Sequence, residues 1–164
     1  MIRWHHIAGA VVGWLMLTTG PALPAQAQTA PAQSGDADCV IVVGAPDPVT
    51  NIAPQETKAC GAAAAEVALP AKKLIMTWYR NGDYGGGSTK IYGRNGGCGN
   101  YGIEFVGESW NDEIHSFRTY ANCHYVRAFQ NKEYGGWCYA YHGDARWVGN
   151  GVSSFWLSNS YKRC

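Results

Sequence analysis

The chain has 164 residues, a formal net charge of +1, six cysteines, ten tyrosines and seven tryptophans. That length suits one domain with appendages. Its 13 basic residues are scattered among 12 acidic ones, so there is no concentrated basic face of the kind that binds phosphate, and nucleic acid is excluded as an expected partner.

Residues 1–27 read as a secretory signal peptide. Arg3 supplies the positive start, Ile7 to Leu17 an apolar run, and Ala25-Gln26-Ala27 the small residues that a signal peptidase reads. A membrane span needs about 20 apolar residues, and neither this run nor any later stretch reaches that. The expectation is an exported, extracellular protein that does not span a membrane. In an oxidising compartment the six cysteines Cys39, Cys60, Cys98, Cys123, Cys138 and Cys164 argue for three disulfides. Zinc is disfavoured because no CxxC or HxxxH pairing occurs. A Cys39 to Cys60 link is the simplest way to tie down the leading segment; the remaining connectivity is open.

Residues 28–73 divide into a Pro-, Ala- and Gln-rich lead-in and a small N-terminal arm. Within the arm, Val40 to Val43 is a β-branched strand ended by Gly44, Pro46 and Pro48, and Thr50 to Lys58 reads as loop. The Ala-rich stretch Cys60 to Leu69 reads as a short helix stopped by Pro70. The arm is too small to hold a core alone and is expected to pack on the following domain.

From residue 74 the pattern is β. Strands are expected at Leu74 to Tyr79, Thr89 to Tyr92, Gly102 to Val106, His124 to Phe129, Trp137 to Tyr141 and Ser154 to Leu157. The segment YRNGDYGG, from Tyr79, recurs fifty positions later as FQNKEYGG, from Phe129. In each copy an aromatic is followed five residues on by Tyr84 or Tyr134, and two further on by Gly86 or Gly136. The spacing describes a folded-over hairpin, with the second aromatic leaning over the corner and a glycine where the backbone turns left-handed. Later in each copy come WNDEIHSF, Trp110 to Phe117, and VGNGVSSF, Val148 to Phe155. The first copy is twelve residues longer, and the surplus is expected in the Gly-rich run from Tyr92 to Gly102.

This pattern resembles the βγ-crystallin Greek-key motif, an aromatic hairpin of form [YFW]xxxx[YF]xG followed by an [ND][ND]xx[ST]S loop. The resemblance covers residues 74–164, with motif A at about 74–120 and motif B at about 123–157. It implies an all-β antiparallel sandwich of two Greek keys. In calcium-binding members of that family the loops offer hard oxygen ligands. Asn111, Asp112 and Ser116 match the pattern in the first loop, and Asn150, Ser153 and Ser154 in the second. His115 stands where a hydroxyl ligand belongs, and Gly149 where a leading Asn or Asp belongs. Asp112 is the one carboxylate at a motif position, so any calcium binding is expected to be weak.

Among the family, the signal peptide and cysteine content are most similar to exported bacterial proteins of the streptomycete-type metalloproteinase inhibitor and killer-toxin-like group. The resemblance implies a monomeric binding protein, first of all a peptidase inhibitor whose partner is an extracellular protease. The disulfide-bearing Tyr92 to Tyr101 loop is the candidate recognition element. Antimicrobial action would want a cationic face, which the balanced charge does not supply. A calcium-stabilised structural module rests on the two loops. An enzyme is not expected: His115, His124 and His142, with Glu104, Glu108, Glu113 and Asp144, could in principle supply acid and base, but no catalytic spacing links them.

Overall fold

The computed structural model describes residues 39–68, 73–94, 96–149 and 151–164. The signal peptide and the lead-in lie outside the described residues, as do Leu69, Pro70 and Asn150. The compact unit that contains the described residues has two sheets, and its strands are β1 (Cys39–Val43), β2 (Gln55–Cys60), β3 (Lys73–Tyr79), β4 (Ser88–Gly93), β5 (Asn100–Ile103), β6 (Ser116–Thr119), β7 (Tyr125–Phe129), β8 (Cys138–His142) and β9 (Ser154–Ser158). One sheet runs β2-β1-β4-β3-β6 and the other β5-β9-β7-β8. One α-helix among the described residues, α1 (Ala62–Ala68), follows β2.

The order of the strands defines the architecture. In motif A, β3, β4 and β6 lie in the first sheet, while the intervening β5 crosses to the second and pairs with β9. Motif B mirrors this: β7, β8 and β9 share the second sheet, and the segment between β8 and β9 crosses back to meet β6 through the single bridge Phe117 to Ala145. Each motif lends its third strand to the other, so the two Greek keys fold as one sandwich of crystallin type. In motif B that third strand has shrunk to one residue. From Gly93 to Ile103 the first copy is eight residues longer than from Gly143 to Ala145 in the second, and most of the surplus in motif A therefore lies in the β4 to β5 connection.

The core is built from both sheets. Ile75, Met76 and Trp78 from β3, Phe117 from β6, Val126 and Ala128 from β7, and Phe155 and Leu157 from β9 are all buried. Trp78 stacks on Phe155 with ring centroids 5.6 Å apart, and Phe155 meets Phe117 edge to face at 5.6 Å. Burial of each such side chain stabilises the fold by about 1.5 to 3 kcal/mol.

The N-terminal segment is built into this sandwich. β1 pairs parallel with β4 while β2 folds back antiparallel on β1, and Ile41, Val43 and Ala53 join the main core. Among the described residues β1 to β4 is the one parallel ladder between named strands, and Ile52 adds an isolated parallel bridge to Gly102. α1 covers the outer face of β1, where Val40 and Val42 pack with Ala64, Val67 and Tyr92. Two expectations need correcting here. Gln55 to Lys58, read as loop, belongs to β2, an exposed outermost strand that shows no apolar alternation because neither face is buried. The strand expected at Gly102 to Val106 begins at Asn100 and ends at Ile103.

Three disulfides brace the unit: Cys39 to Cys60, Cys98 to Cys123 and Cys138 to Cys164. The first, expected from sequence, ties β1 to β2 across the register pair Cys39 and Cys60. The sequence separations are 21, 25 and 26 residues, for which the chain-entropy estimate is about 3 kcal/mol per bridge.

Candidate metal centre

The two hairpins fold as the repeat requires. Tyr84 leans on Tyr79 with ring centroids 5.7 Å apart, and Tyr134 on Phe129 at 5.4 Å. Gly86 and Gly136 have φ of 73° and 71°, the left-handed region that glycine enters freely. Asp83, Tyr84, Glu133 and Tyr134 are left-handed as well. That repeated departure from ordinary backbone has to be held, and a serine holds it in each copy.

Ser116 donates its hydroxyl proton to the Asn81 carbonyl and accepts from the Tyr84 N–H at 3.0 Å. Ser154 does the same in motif B, donating to the Asn131 carbonyl at 2.7 Å and accepting from the Tyr134 N–H at 3.2 Å. Both serines are fully buried. Of the six residues that the resemblance offered to calcium, these two therefore fasten their own hairpins.

The remaining oxygens meet across the motifs rather than within them. Trp110 and Asn111 both donate their N–H to the Gly107 carbonyl at 3.0 Å, forming a tight turn that leads into Asp112 at φ 61°. Gly151, from the opposite loop, presses against this turn; a Cβ there would come within 2.5 Å of the Asp112 carbonyl oxygen. The contact places the Ser153 hydroxyl 3.4 Å from Asp112 Oδ1, while the same hydroxyl donates to the Gln130 carbonyl at 2.6 Å. Asn111 donates its amide to Asp112 Oδ2 at 2.8 Å. A carboxylate from motif A, a hydroxyl from motif B and a carbonyl from the motif B hairpin thus converge. Asp112 is exposed and Ser153 buried, so the cluster opens to solvent on the carboxylate side.

On the other side, His115 Nδ1 lies 3.4 Å from the Gly149 carbonyl, and the ring stacks on Trp147 at 5.5 Å and 16°. Asn150 belongs to this side by sequence and lies outside the described residues. Calcium takes six to eight oxygen ligands at about 2.4 Å. The Asp112, Ser153 and Gln130 oxygens fit that chemistry with water completing the shell. A stacked imidazole nitrogen does not, so the described residues of the second side do not fit a hard cation. No group of three or more His, Cys, Asp or Glu that could hold a metal occurs among the described residues.

The other candidates are placed as follows. Glu108 pairs with Lys132 at 3.0 Å, Glu113 pairs with Arg80 at 3.0 Å, and Asp144 accepts from the Thr119 N–H at 2.8 Å. None of these carboxylates is bonded to His115, His124 or His142. The Tyr92 to Tyr101 stretch is smaller than expected as a loop, because Tyr92 and Gly93 finish β4 and Asn100 starts β5. The connection between them is pinned: Cys98 is buried, and its N–H donates to the Ala121 carbonyl at 3.0 Å beside the Cys98 to Cys123 bridge. Arg94 is paired with Glu56.

These features define a two-Greek-key crystallin-type sandwich with one cross-motif oxygen cluster. No family model matches the chain, and no curated protein does. Among solved structures, it is similar to a βγ-crystallin domain from Clostridium beijerinckii, at 24% identity and a TM-score of 0.40 over 52% of this chain and 99% of that one. A nickel complex of a clostrillin double mutant gives 22% and 0.40, covering 52% of this chain and 99% of that one. Hahellin, a βγ-crystallin solved by NMR, gives 21% and 0.36, covering 52% and 92%. The likeness is one of fold.

Proposed function

We propose that this protein is an exported, disulfide-braced crystallin-type module that takes up one calcium ion weakly at Asp112, Ser153 and the Gln130 carbonyl. The observation that carries the reading is the approach of Asp112 Oδ1 to the Ser153 hydroxyl, with the Gln130 carbonyl on that same hydroxyl. A single carboxylate and two neutral oxygens match hard-cation chemistry, and the low charge count sets the affinity low. An ion there would fasten the motif A loop to the motif B hairpin, so its effect would be on stability. Three disulfides support export to an oxidising compartment.

The peptidase-inhibitor reading has less behind it. Its proposed recognition element is a short connection held down on the Ala121 to Cys123 turn, without the reach of a loop that enters a protease cleft. Calorimetric titration of the oxidised protein with calcium tests the proposal against an Asp112→Asn variant, since Asn tolerates the left-handed backbone and removes only the charge. Saturable heat in the parent and at least about tenfold weaker binding in the variant are expected. No heat in the parent, or equal heat in both, would refute it.

A further inference from the structure

Two sheets have four outer edges; among the described residues two of them are covered and a third is charged. β2 carries Glu56 and Lys58 on its exposed strand, charges that oppose further pairing. β6 is covered by the Ala145 bridge, which exchanges both backbone bonds with Phe117 at 3.0 Å. β5 is covered by Asn51 to Ala53, which accept from and donate to Gly102 at 2.9 and 2.8 Å. β8 is different. Its sequence, Cys138, Tyr139, Ala140, Tyr141, His142, has no Lys, Arg, Asp, Glu or Pro, and β7 is its one strand neighbour among the described residues.

Register says which groups face out. Gly143 donates its N–H to the His124 carbonyl and Gln130 donates to the Trp137 carbonyl, which marks those residues as hydrogen-bonded pairs of the β7 to β8 ladder. Such pairs alternate. Tyr139 and Tyr141 are therefore bonded inward to Ala128 and Val126, while the N–H and C=O groups of Cys138, Ala140 and His142 point away from the sheet.

The repeat shows what this edge accommodates. The counterpart of β8 in motif A is β4, and β4 is paired on its outer side by β1. There Thr89 and Ile91 are fully buried; at the matching positions of motif B stand Tyr139, 49% exposed, and Tyr141, partly exposed.

We propose that β8 is a self-association edge, pairing antiparallel with β8 of a second copy about a two-fold axis at Ala140. The strand is palindromic in character, Tyr-Ala-Tyr about a small central residue. The two-fold sets Ala140 against Ala140 of the second copy, exchanging both backbone bonds, and Cys138 against His142 of the second copy. Tyr139 then lies opposite Tyr141 of the second copy on one face, an aromatic cross-strand pair. Self-pairing sets Ala140 against Ala140 and tyrosine against tyrosine, and a β8 strand without charge favours a copy of this chain over a charged foreign strand, while Cys138 stays held by its bridge to Cys164. The result is a closed, isologous dimer with a continuous sheet across it, in place of the monomer expected from sequence.

Sedimentation of the oxidised protein across a wide concentration range tests this, alongside Ala140→Pro and Ala140→Lys. The Ala140 N–H is not used by the β7 to β8 ladder, so proline removes only the outward bond. A reversible dimer in the parent is expected, with its dissociation constant raised roughly thirtyfold by Ala140→Pro through loss of the exchanged bonds. Ala140→Lys, which sets like charges face to face and keeps the strand, is expected to be monomeric even if the proline variant melts. Amide exchange at Cys138, Ala140 and His142 should slow as concentration rises. A parent that stays monomeric, or a dimer that Ala140→Lys leaves intact, overturns the proposal. So does a monomer whose β8 amides become protected only by a synthetic peptide of the β1 sequence, which would hand the edge to a foreign strand.

Discussion

Asp112 of the first motif and Ser153 of the second face one another with 3.4 Å between Oδ1 and Oγ, although 41 residues separate them in the chain. The exchange of third strands brings them together, because it sets the loop before β6 against the loop before β9. Gly151 makes the approach possible. Its φ of 92° and its contact with the Asp112 backbone leave no room for a Cβ. Gly151→Ala is expected to destabilise the protein by about 1 to 3 kcal/mol and to weaken calcium binding with it. Urea denaturation and a calcium titration of the same variant check both.

Ser116 and Ser154 give an opposite expectation. Each buried hydroxyl satisfies an amide and a carbonyl of a left-handed hairpin, so Ser116→Ala and Ser154→Ala are each expected to cost about 1 to 3 kcal/mol. The apparent calcium affinity of Ser116→Ala should stay within about twofold of the parent, because its hydroxyl is spent on Asn81 and Tyr84. A large loss of affinity without a loss of stability would place Ser116 among the ligands instead.

Much of the fold is legible in the sequence, and the reason is local. The aromatic, Tyr and Gly spacing of each hairpin encodes a corner made by contiguous residues, and the strands around it alternate because one face is buried. β2 is not legible, since both of its faces meet solvent. The parallel insertion of β1 beside β4 is not legible either, as nothing local in CVIVV names a partner fifty residues on. The oxygen cluster was half readable: the loop pattern picked out Asp112 and Ser153 but grouped each with residues of its own copy. Which serine braces a hairpin and which faces a carboxylate depends on the strand exchange, and no spacing within one copy carries that information.

Alkaline pH should unfold the protein through its tyrosines. Burial pushes Tyr101, Tyr134 and Tyr141 up to about 12 from an ordinary value of 10.0, and a nearby Glu104 charge adds to the effect at Tyr134. The folded state therefore holds protons that the unfolded state releases, and stability is full below pH 10 and falls between about 10 and 12. The tyrosinate absorbance of Tyr101, Tyr134 and Tyr141 is expected to rise late, coinciding with loss of the near-ultraviolet circular dichroism. A single stage at the ordinary value with the fold retained would contradict this.

The bridges should matter unequally for the site. Replacing Cys98 and Cys123 together by Ala removes a constraint on a 25-residue separation and is expected to lower stability by about 3 kcal/mol. The Asp112 to Ser153 contact is made by other segments, so calcium affinity should be retained in the folded fraction. Chemical denaturation with and without calcium separates the two effects.

The most direct measurement is an NMR calcium titration of the oxidised protein, following backbone amides on both sides of the motif interface. Saturable shifts centred on Asp112, Gln130 and Ser153, with His115 and Gly149 unmoved, are expected if one oxygen cluster holds the ion. No saturable shift up to several millimolar calcium, or shifts centred on His115 and Gly149, would contradict the assignment of calcium to Asp112 and Ser153.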